Sequence, residues 1–244
     1  MSAQVYDNLI HGDGYSVLPA LISPADATDV RQQVLDRLSE GSPAGEGAVR
    51  LPDILHWGKE YENLATHPEL LALAHRMLGN DATLASFSAR VLLPGCAPGG
   101  LHVDFPYWAM NPGMPVEPAL MMQVIWMMEP FTEVNGGTWV APGSQQWTGK
   151  PDLERFEQSA IQATGNAGDA VVSHGLLWHR TAVNHSDAPR VAILINFTQL
   201  TVKPMSPWGE FDTDFVERMS PELRTLLCLD YGKALQRRIA AHTG

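Results

Sequence analysis

Residues 176–198 read LLWHRTAVNHSDAPRVAILINFT, two apolar runs parted by a polar turn. Residues 190–202 and 177–183 are rich in β-branched and aliphatic side chains and are bounded by Asn, Asp and Pro, the composition of short strands. Outward from this pair the same signal recurs at 170–174, 139–141, 120–128 and 83–93, each between Gly, Pro, Asn or Asp turns. A short apolar strand is expected at 14–19. Helical signals sit at the two ends of the chain. Ser23 precedes Pro24 and Asp26, so a cap, a first-turn proline and an acid at the positive end of the dipole open a helix carrying Val30, Val34, Leu35 and Leu38. Residues 41–47 form a Gly/Ser/Pro loop, 68–78 a second helix stopped by Gly79-Asn80, and 221–239 a closing helix. Many short strands after early helices predict a mainly β fold with flanking helices. The architecture expected is an antiparallel barrel or double-sheet jelly roll with helices packed on one face, forming one domain over 1–244. Its helical N-terminal part covers about 1–80, the jelly-roll core about 83–202 and a C-terminal helical segment about 203–244.

The 244 residues are 45% hydrophobic and 18% charged, enough apolar surface for a full core, which excludes a mostly disordered chain. A net charge of −11 leaves no basic footprint for nucleic acid, and an anionic ligand would need a local basic group to hold it. The two cysteines, Cys96 and Cys228, have no metal-type spacing and fit a reducing compartment. The first residues lack a basic start followed by an apolar run, and no apolar run of about 18 residues occurs, so neither a signal peptide nor a membrane span is expected. The expected location is the cytoplasm. Oligomeric state is not legible.

His102 and Asp104 lie two apart, on one side of an extended segment. Alone, such a pair is equally a surface pair or a hydrogen-bonded histidine. His179 falls in an apolar strand, where an imidazole needs a partner. Should the two segments face each other across a barrel, His102, Asp104 and His179 make two histidines and one carboxylate, the ligand set of non-haem Fe(II) oxygenases. Arg190 opens the next strand and by alternation shares a face with Ala192, Leu194 and Asn196. An arginine there either stays in water, paired with Asp187, or is buried against an anion such as a carboxylate. Thr181 shares a face with His179 and offers a hydroxyl to the same anion. Phe105, Tyr107 and Trp108 follow the metal pair and either line a substrate pocket or pack as a lid, with 110–118 as a loop able to close over it. His174 reads as a packing or hydrogen-bonding residue rather than a ligand. Met121, Met122, Met127 and Met128 read as core.

Four stretches resemble the phytanoyl-CoA dioxygenase family of Fe(II)- and 2-oxoglutarate-dependent oxygenases. They are Asp13-Gly14-Tyr15 with Val17-Leu18-Pro19; His102-Val103-Asp104; Asn135-Gly136-Gly137 through Pro142-Gly143-Ser144; and Gly168-Asp169 through His174, His179, Asn184 and Arg190. Order and spacing agree from about Gly12 to Phe197. The resemblance implies a double-stranded β-helix (jelly roll, cupin-like) single domain and iron on His102, Asp104 and His179. It implies 2-oxoglutarate held at its distal carboxylate by Arg190 and Thr181, with Gln123 reaching the cosubstrate, and O2 as second cosubstrate. It also implies oxidation of a small molecule, by default hydroxylation with release of succinate and CO2; desaturation, cyclisation and epimerisation share the same motif. Many relatives carry histidine after Pro-Gly-Ser, where this chain has Gln145-Gln146. Asp104 is present, unlike in halogenases of this fold. Two other readings of the residues stay open at this point: a non-catalytic jelly-roll binding protein with a vestigial metal site, and a zinc-dependent cupin-like hydrolase or isomerase.

Overall fold

The computed structural model describes residues 2–105, 116–147, 149–203, 211–230 and 232. Strands β1 (Tyr15–Leu18), β2 (Ser42–Pro43), β3 (Ala48–Pro52), β4 (Thr83–Leu92), β5 (Met121–Met127), β8 (Ala170–His174) and β10 (Arg190–Thr198) form an antiparallel sheet in the order β1-β8-β5-β10-β4-β3-β2. A smaller sheet has the order β7-β6-β9, built from β6 (Thr138–Val140), β7 (Ile161–Ala163) and β9 (His179–Arg180). Among the described residues the helices are α1 (Ser2–His11), α2 (Pro24–Asp36), α3 (Lys59–Ala65), α4 (Pro68–Leu78), α5 (Leu153–Glu157), α6 (Thr213–Arg218) and α7 (Pro221–Leu226).

The large sheet has two unlike faces because side chains alternate along each strand. Val191, Ile193, Ile195 and Phe197 of β10, with Val124 and Trp126 of β5, join a core that includes Leu9 and Ile10 of α1, Val30 and Val34 of α2, and Leu70, Leu73 and Met77 of α4. The opposite face carries Gln123, Ile125, Arg190, Leu194 and Asn196, with Ser86, Ser88 and Arg90 from β4, and these line a cavity together with Thr138 and His179 of the small sheet. Register fixes the pairs: Leu194 stands opposite Ile125, Asn196 opposite Gln123 and Ser86. A register shift between Asn196 and Phe197 leaves Ala85 of β4 without a partner on β10 and brings Leu84 beside Phe197 in the helix-facing core. Such a bulge bends the strand and shifts the alternation of its side chains.

Local chemistry sets several boundaries as expected. The Ser23 hydroxyl accepts the Asp26 N–H (3.1 Å) and Pro24 takes the first turn of α2. α4 opens on Pro68 and stops at Gly79, whose φ of 96° suits glycine. Asn135 ties its turn by accepting the Thr132 N–H (2.8 Å) and donating to Pro130 O (2.8 Å).

Other boundaries differ. The expected strand 177–183 is regular only over His179–Arg180, and 190–202 ends at Thr198, where Gln199 turns away to Leu120 O (3.1 Å). The loop expected at 41–47 contains β2, and α1, α3, β3 and β7 were not anticipated. In place of one closing helix, the described part of 221–239 ends α7 at Leu226; the remainder lies outside the described residues, apart from a few positions. Cys96 and Cys228 are free thiols. No helix among the described residues is long and apolar enough to cross a membrane.

Phe87 is fully buried on the helix-facing side of β4, edge-on to Tyr61 with centroids 6.5 Å apart. Phe87→Ala is expected to cost about 3–5 kcal/mol, read as a lower urea midpoint with an unchanged slope.

Candidate metal centre

The two histidines are brought together by backbone, before any side-chain contact. His102 N–H donates to His179 O and His179 N–H to His102 O, both at 3.1 Å, an isolated antiparallel bridge. Their rings lie 4.3 Å apart between centroids. Three further bonds hold the segments in place. Gly99 N–H reaches Thr181 O (3.0 Å), Ala141 N–H reaches Trp178 O (3.0 Å), and buried Ser144 accepts the Trp178 N–H (2.8 Å). Gly99 is needed here: a Cβ would stand 2.9 Å from the Thr181 Cβ.

Each ring is oriented by its Nδ1, His102 toward Gly100 O (2.8 Å) and His179 toward Leu177 O (2.9 Å). A carbonyl only accepts, so Nδ1 carries the proton and Nε2 keeps its lone pair in the neutral ring. Both Nε2 atoms face Asp104 Oδ1, at 3.9 and 3.8 Å, too far for a hydrogen bond. The nearby His179 and burial hold the His102 pKa below its ordinary value, despite the opposing pull of Asp104. In their neutral form both imidazoles present a lone pair toward a carboxylate oxygen. The three ligand atoms lie within 4.8 Å of one another. This donor set fits a divalent cation. Gln123 donates to the other carboxylate oxygen, Asp104 Oδ2, so the structure places it against a metal-ligand candidate.

Arg190 is buried beneath this centre. Its Nη2 donates to Gly136 O (2.8 Å) in the Asn-Gly-Gly turn, and its guanidinium stacks over Phe131 at 4.2 Å. Glu129 lies near enough to attract it but is engaged by Arg31 and the Val191 N–H. The Arg190 Nε has no partner among the described residues. Burial lowers its pKa to about 10, so it remains a cation at neutral pH. A buried cation with a spare donor beside a cavity is an anion receptor, and the alternative of Arg190 standing in water does not hold.

His102, Asp104, His179, Gln123, Thr181, Arg190 and Asn196 all line one cavity of about 300 Å³. Thr181 lies just past β9 but still faces that space. Phe105 donates its N–H to Gly175 O (3.1 Å). Tyr107, Trp108 and most of the loop expected at 110–118 lie outside the described residues. The sequence reading missed Arg50, Ser86, Ser88, Arg90 and Thr138 on the cavity wall. The signal for three of them was present: polar residues at 86, 88 and 90 alternate with apolar ones along β4. Gln145 and Gln146, which replace the expected histidine, donate to Gly12 O (2.8 Å) and Ile10 O at the end of α1 and do not line the cavity.

With this geometry in place, comparison with known proteins is decisive. The family model of phytanoyl-CoA dioxygenase (PhyH) matches residues 10–192. The chain belongs to the PhyH family. A dioxygenase, af480, from Aspergillus fumigatus is 26% identical over 232 residues, covering 89% of this chain and 74% of that protein. The L-proline trans-4-hydroxylase of Streptomyces griseoviridis is 25% identical over 237 residues, covering 80% of this chain and 86% of that one. Among solved structures, the epimerase SnoN of nogalamycin biosynthesis, in complex with Fe3+, alpha ketoglutarate and nogalamycin RO, superposes with a TM-score of 0.68 at 18% identity. It covers 86% of this chain and 92% of SnoN. The carbocyclase SnoK superposes at 0.66 with 19% identity, covering 91% of each chain. The fold is therefore that of the cupin-like PhyH enzymes, mostly antiparallel sheet with flanking helices.

Two measurements follow. Gln123→Ala frees Asp104 to rotate and should weaken divalent-metal affinity about 10–100-fold, read by equilibrium dialysis, with secondary structure retained; unchanged affinity would contradict the orienting role. His174 is buried, with Nε2–H donating to Val116 O (3.0 Å) and Nδ1 accepting the Leu176 N–H (3.0 Å). Burial lowers its pKa to about 4. The unfolded chain therefore takes up the proton first as pH falls, and stability should decline from near pH 6.5 toward pH 4. His174→Gln, compared by urea unfolding across that window, should flatten the decline.

Proposed function

We propose that the protein is an Fe(II)- and 2-oxoglutarate-dependent dioxygenase that oxidises a C–H bond of a small molecule, by default to the alcohol, with release of succinate and CO2. The observation that carries this reading is the convergence of three metal-ligating atoms, His102 Nε2, His179 Nε2 and Asp104 Oδ1, within 4.8 Å of one another. Bound Fe(II) and 2-oxoglutarate supply the oxidising power, one atom of O2 entering the product and the other the succinate.

The chain's own contribution is positioning. His102 and His179 present fixed lone pairs because their Nδ1 protons are committed to carbonyls. Asp104 is held by Gln123. Two imidazoles and one carboxylate occupy one face of a metal and leave the rest to exogenous ligands. Arg190 and Thr181 hold the distal carboxylate of 2-oxoglutarate, and the spare Arg190 Nε gives that carboxylate a charge-assisted donor. Asn196, on the cavity wall, borders the primary substrate. The zinc hydrolase and vestigial-site readings leave the buried cation at Arg190 without a task.

Metal-free protein titrated anaerobically with Fe(II) and then 2-oxoglutarate should develop the visible charge-transfer band of the chelate. His179→Ala should show none. Arg190→Ala should need on the order of 10–100-fold more 2-oxoglutarate, the cost of one charged hydrogen bond. A folded wild type that gives no band would sink the reading.

A further inference from the structure

The cavity holds more positive charge than the proposed metal and cosubstrate account for. Besides Arg190, it is lined by Arg50 of β3 and Arg90 of β4. The two stand directly opposite each other in the β3–β4 ladder. Like charges in that position destabilise a sheet. Neither guanidinium has a carboxylate within 4 Å among the described residues, and residues 106–115, which follow the metal pair, include no acid. Arg90 is half-buried. Its Nη2 donates to Ala44 O (2.8 Å), while its Nε is buried without a partner. Arg50 is exposed at the cavity edge and has no side-chain partner at all among the described residues. Burial and the neighbouring Arg50 together lower the Arg90 pKa from its ordinary value.

Charge counting points the same way. Three arginines and a divalent ion face Asp104 and a cosubstrate dianion, which leaves two positive charges uncompensated in the pocket of a chain whose net charge is −11. A structural role would instead have given Arg50 and Arg90 an acid, since 27 Asp and Glu residues were available against 16 Lys and Arg.

We infer that the Arg50–Arg90 pair is the recognition site for an anionic oxygen group, a carboxylate or a phosphate, on the primary substrate, so the enzyme acts on an anionic small molecule rather than a neutral one. The planar guanidinium forks suit either group, and a cavity of about 300 Å³ keeps the substrate small. The inference rests on the dioxygenase reading for the position of the oxidised carbon, though not for the charge of the pocket.

The test uses the full chain loaded with Mn(II), which does not turn over, and 2-oxoglutarate. Thermal unfolding is followed with sodium sulfate against sodium chloride at equal ionic strength, then with cyclohexanecarboxylate, cyclohexanecarboxamide and cyclohexyl phosphate. The wild type should be stabilised by sulfate and by at least one of the two organic anions, and not by the amide. Stabilisation by the carboxylate identifies one group, by the phosphate ester the other. Arg50→Gln and Arg90→Gln should each weaken the anion response about tenfold, ~1.4 kcal/mol, while the 2-oxoglutarate response stays within about threefold of wild type. Arg50→Gln alone, lacking any partner to lose, should also melt higher than wild type at low ionic strength. Anion and amide acting alike, or the two variants losing 2-oxoglutarate in place of the anions, would overturn the assignment. Failure of 2-oxoglutarate to bind the wild type would overturn the dioxygenase reading itself, and the anion response would then be judged without it.

Discussion

The reciprocal backbone bridge between His102 and His179 is the constraint on which the rest of the site depends. A two-bond antiparallel pair fixes separation and facing within a narrow range, so neither imidazole has to be carried to the other by a flexible side chain. Everything adjoining this bridge defends it. Ser144 holds Trp178, the small sheet pairs Val140 with His179, and Gly99 lets the incoming segment lie against Thr181. Asp104 then arrives two residues after His102 on the same side of an extended chain, and Gln123 from the opposite sheet stops it turning away. The three candidate ligands therefore come from the small-sheet side of the cavity, and Gln123 of the large sheet braces Asp104 from across it.

A second constraint is electrostatic. The inner face of the large sheet carries arginines in the interior of an acidic protein, an expensive arrangement that persists only with compensation. For Arg190 part of the compensation is built in: the Gly136 carbonyl, the Phe131 ring and the more distant Glu129, itself pinned by Arg31. The Asn-Gly-Gly turn thus has a purpose beyond reversing the chain, since Asn135 locks the turn and Gly136 lends its carbonyl to the cation. Compensation is incomplete at the Nε, and incomplete compensation at a cavity wall is what ligand binding requires.

The large strands were legible because the signals that mark them are local, whereas the candidate triad joins a local His-x-Asp pair to a distant His179 and could be read only conditionally, with the family resemblance, until the fold brought them together. Alternation in β10 placed Arg190 and Asn196 on one face, and the composition of 83–93 and 170–174 marked strands whose bounds held to within a residue. The short pieces were not. α1 does carry an apolar stripe, Val5, Tyr6, Leu9 and Ile10, that the sequence reading passed over, whereas α3 (Lys59–Ala65) and β7 (Ile161–Ala163) are too short for periodicity to mark. β9 shrank to two residues because its neighbours serve as loop anchors, Thr181 for Gly99 and Trp178 for Ser144. The alternation along β4 marks the face of Arg90, but the pairing of Arg50 with Arg90 escaped notice for another reason. Their meaning lies in a cross-strand register, Arg50 opposite Arg90, which no single segment of sequence displays.

The same scaffold carries an epimerase and a carbocyclase among its structural neighbours and a hydroxylase among its relatives. Fold alone therefore does not determine which bond is altered. In this chain Arg190 sits on β10 at the sheet centre, buried, whereas Arg50 and Arg90 face each other across β3 and β4. Arg190 is held by the Gly136 carbonyl and the Phe131 ring, while Arg50 is exposed with no side-chain partner among the described residues. A cation already fixed in place loses little freedom on meeting an anion, and an exposed one must be ordered by it. The basic groups of the cavity wall therefore differ in kind, one preorganised and one that a ligand would have to order.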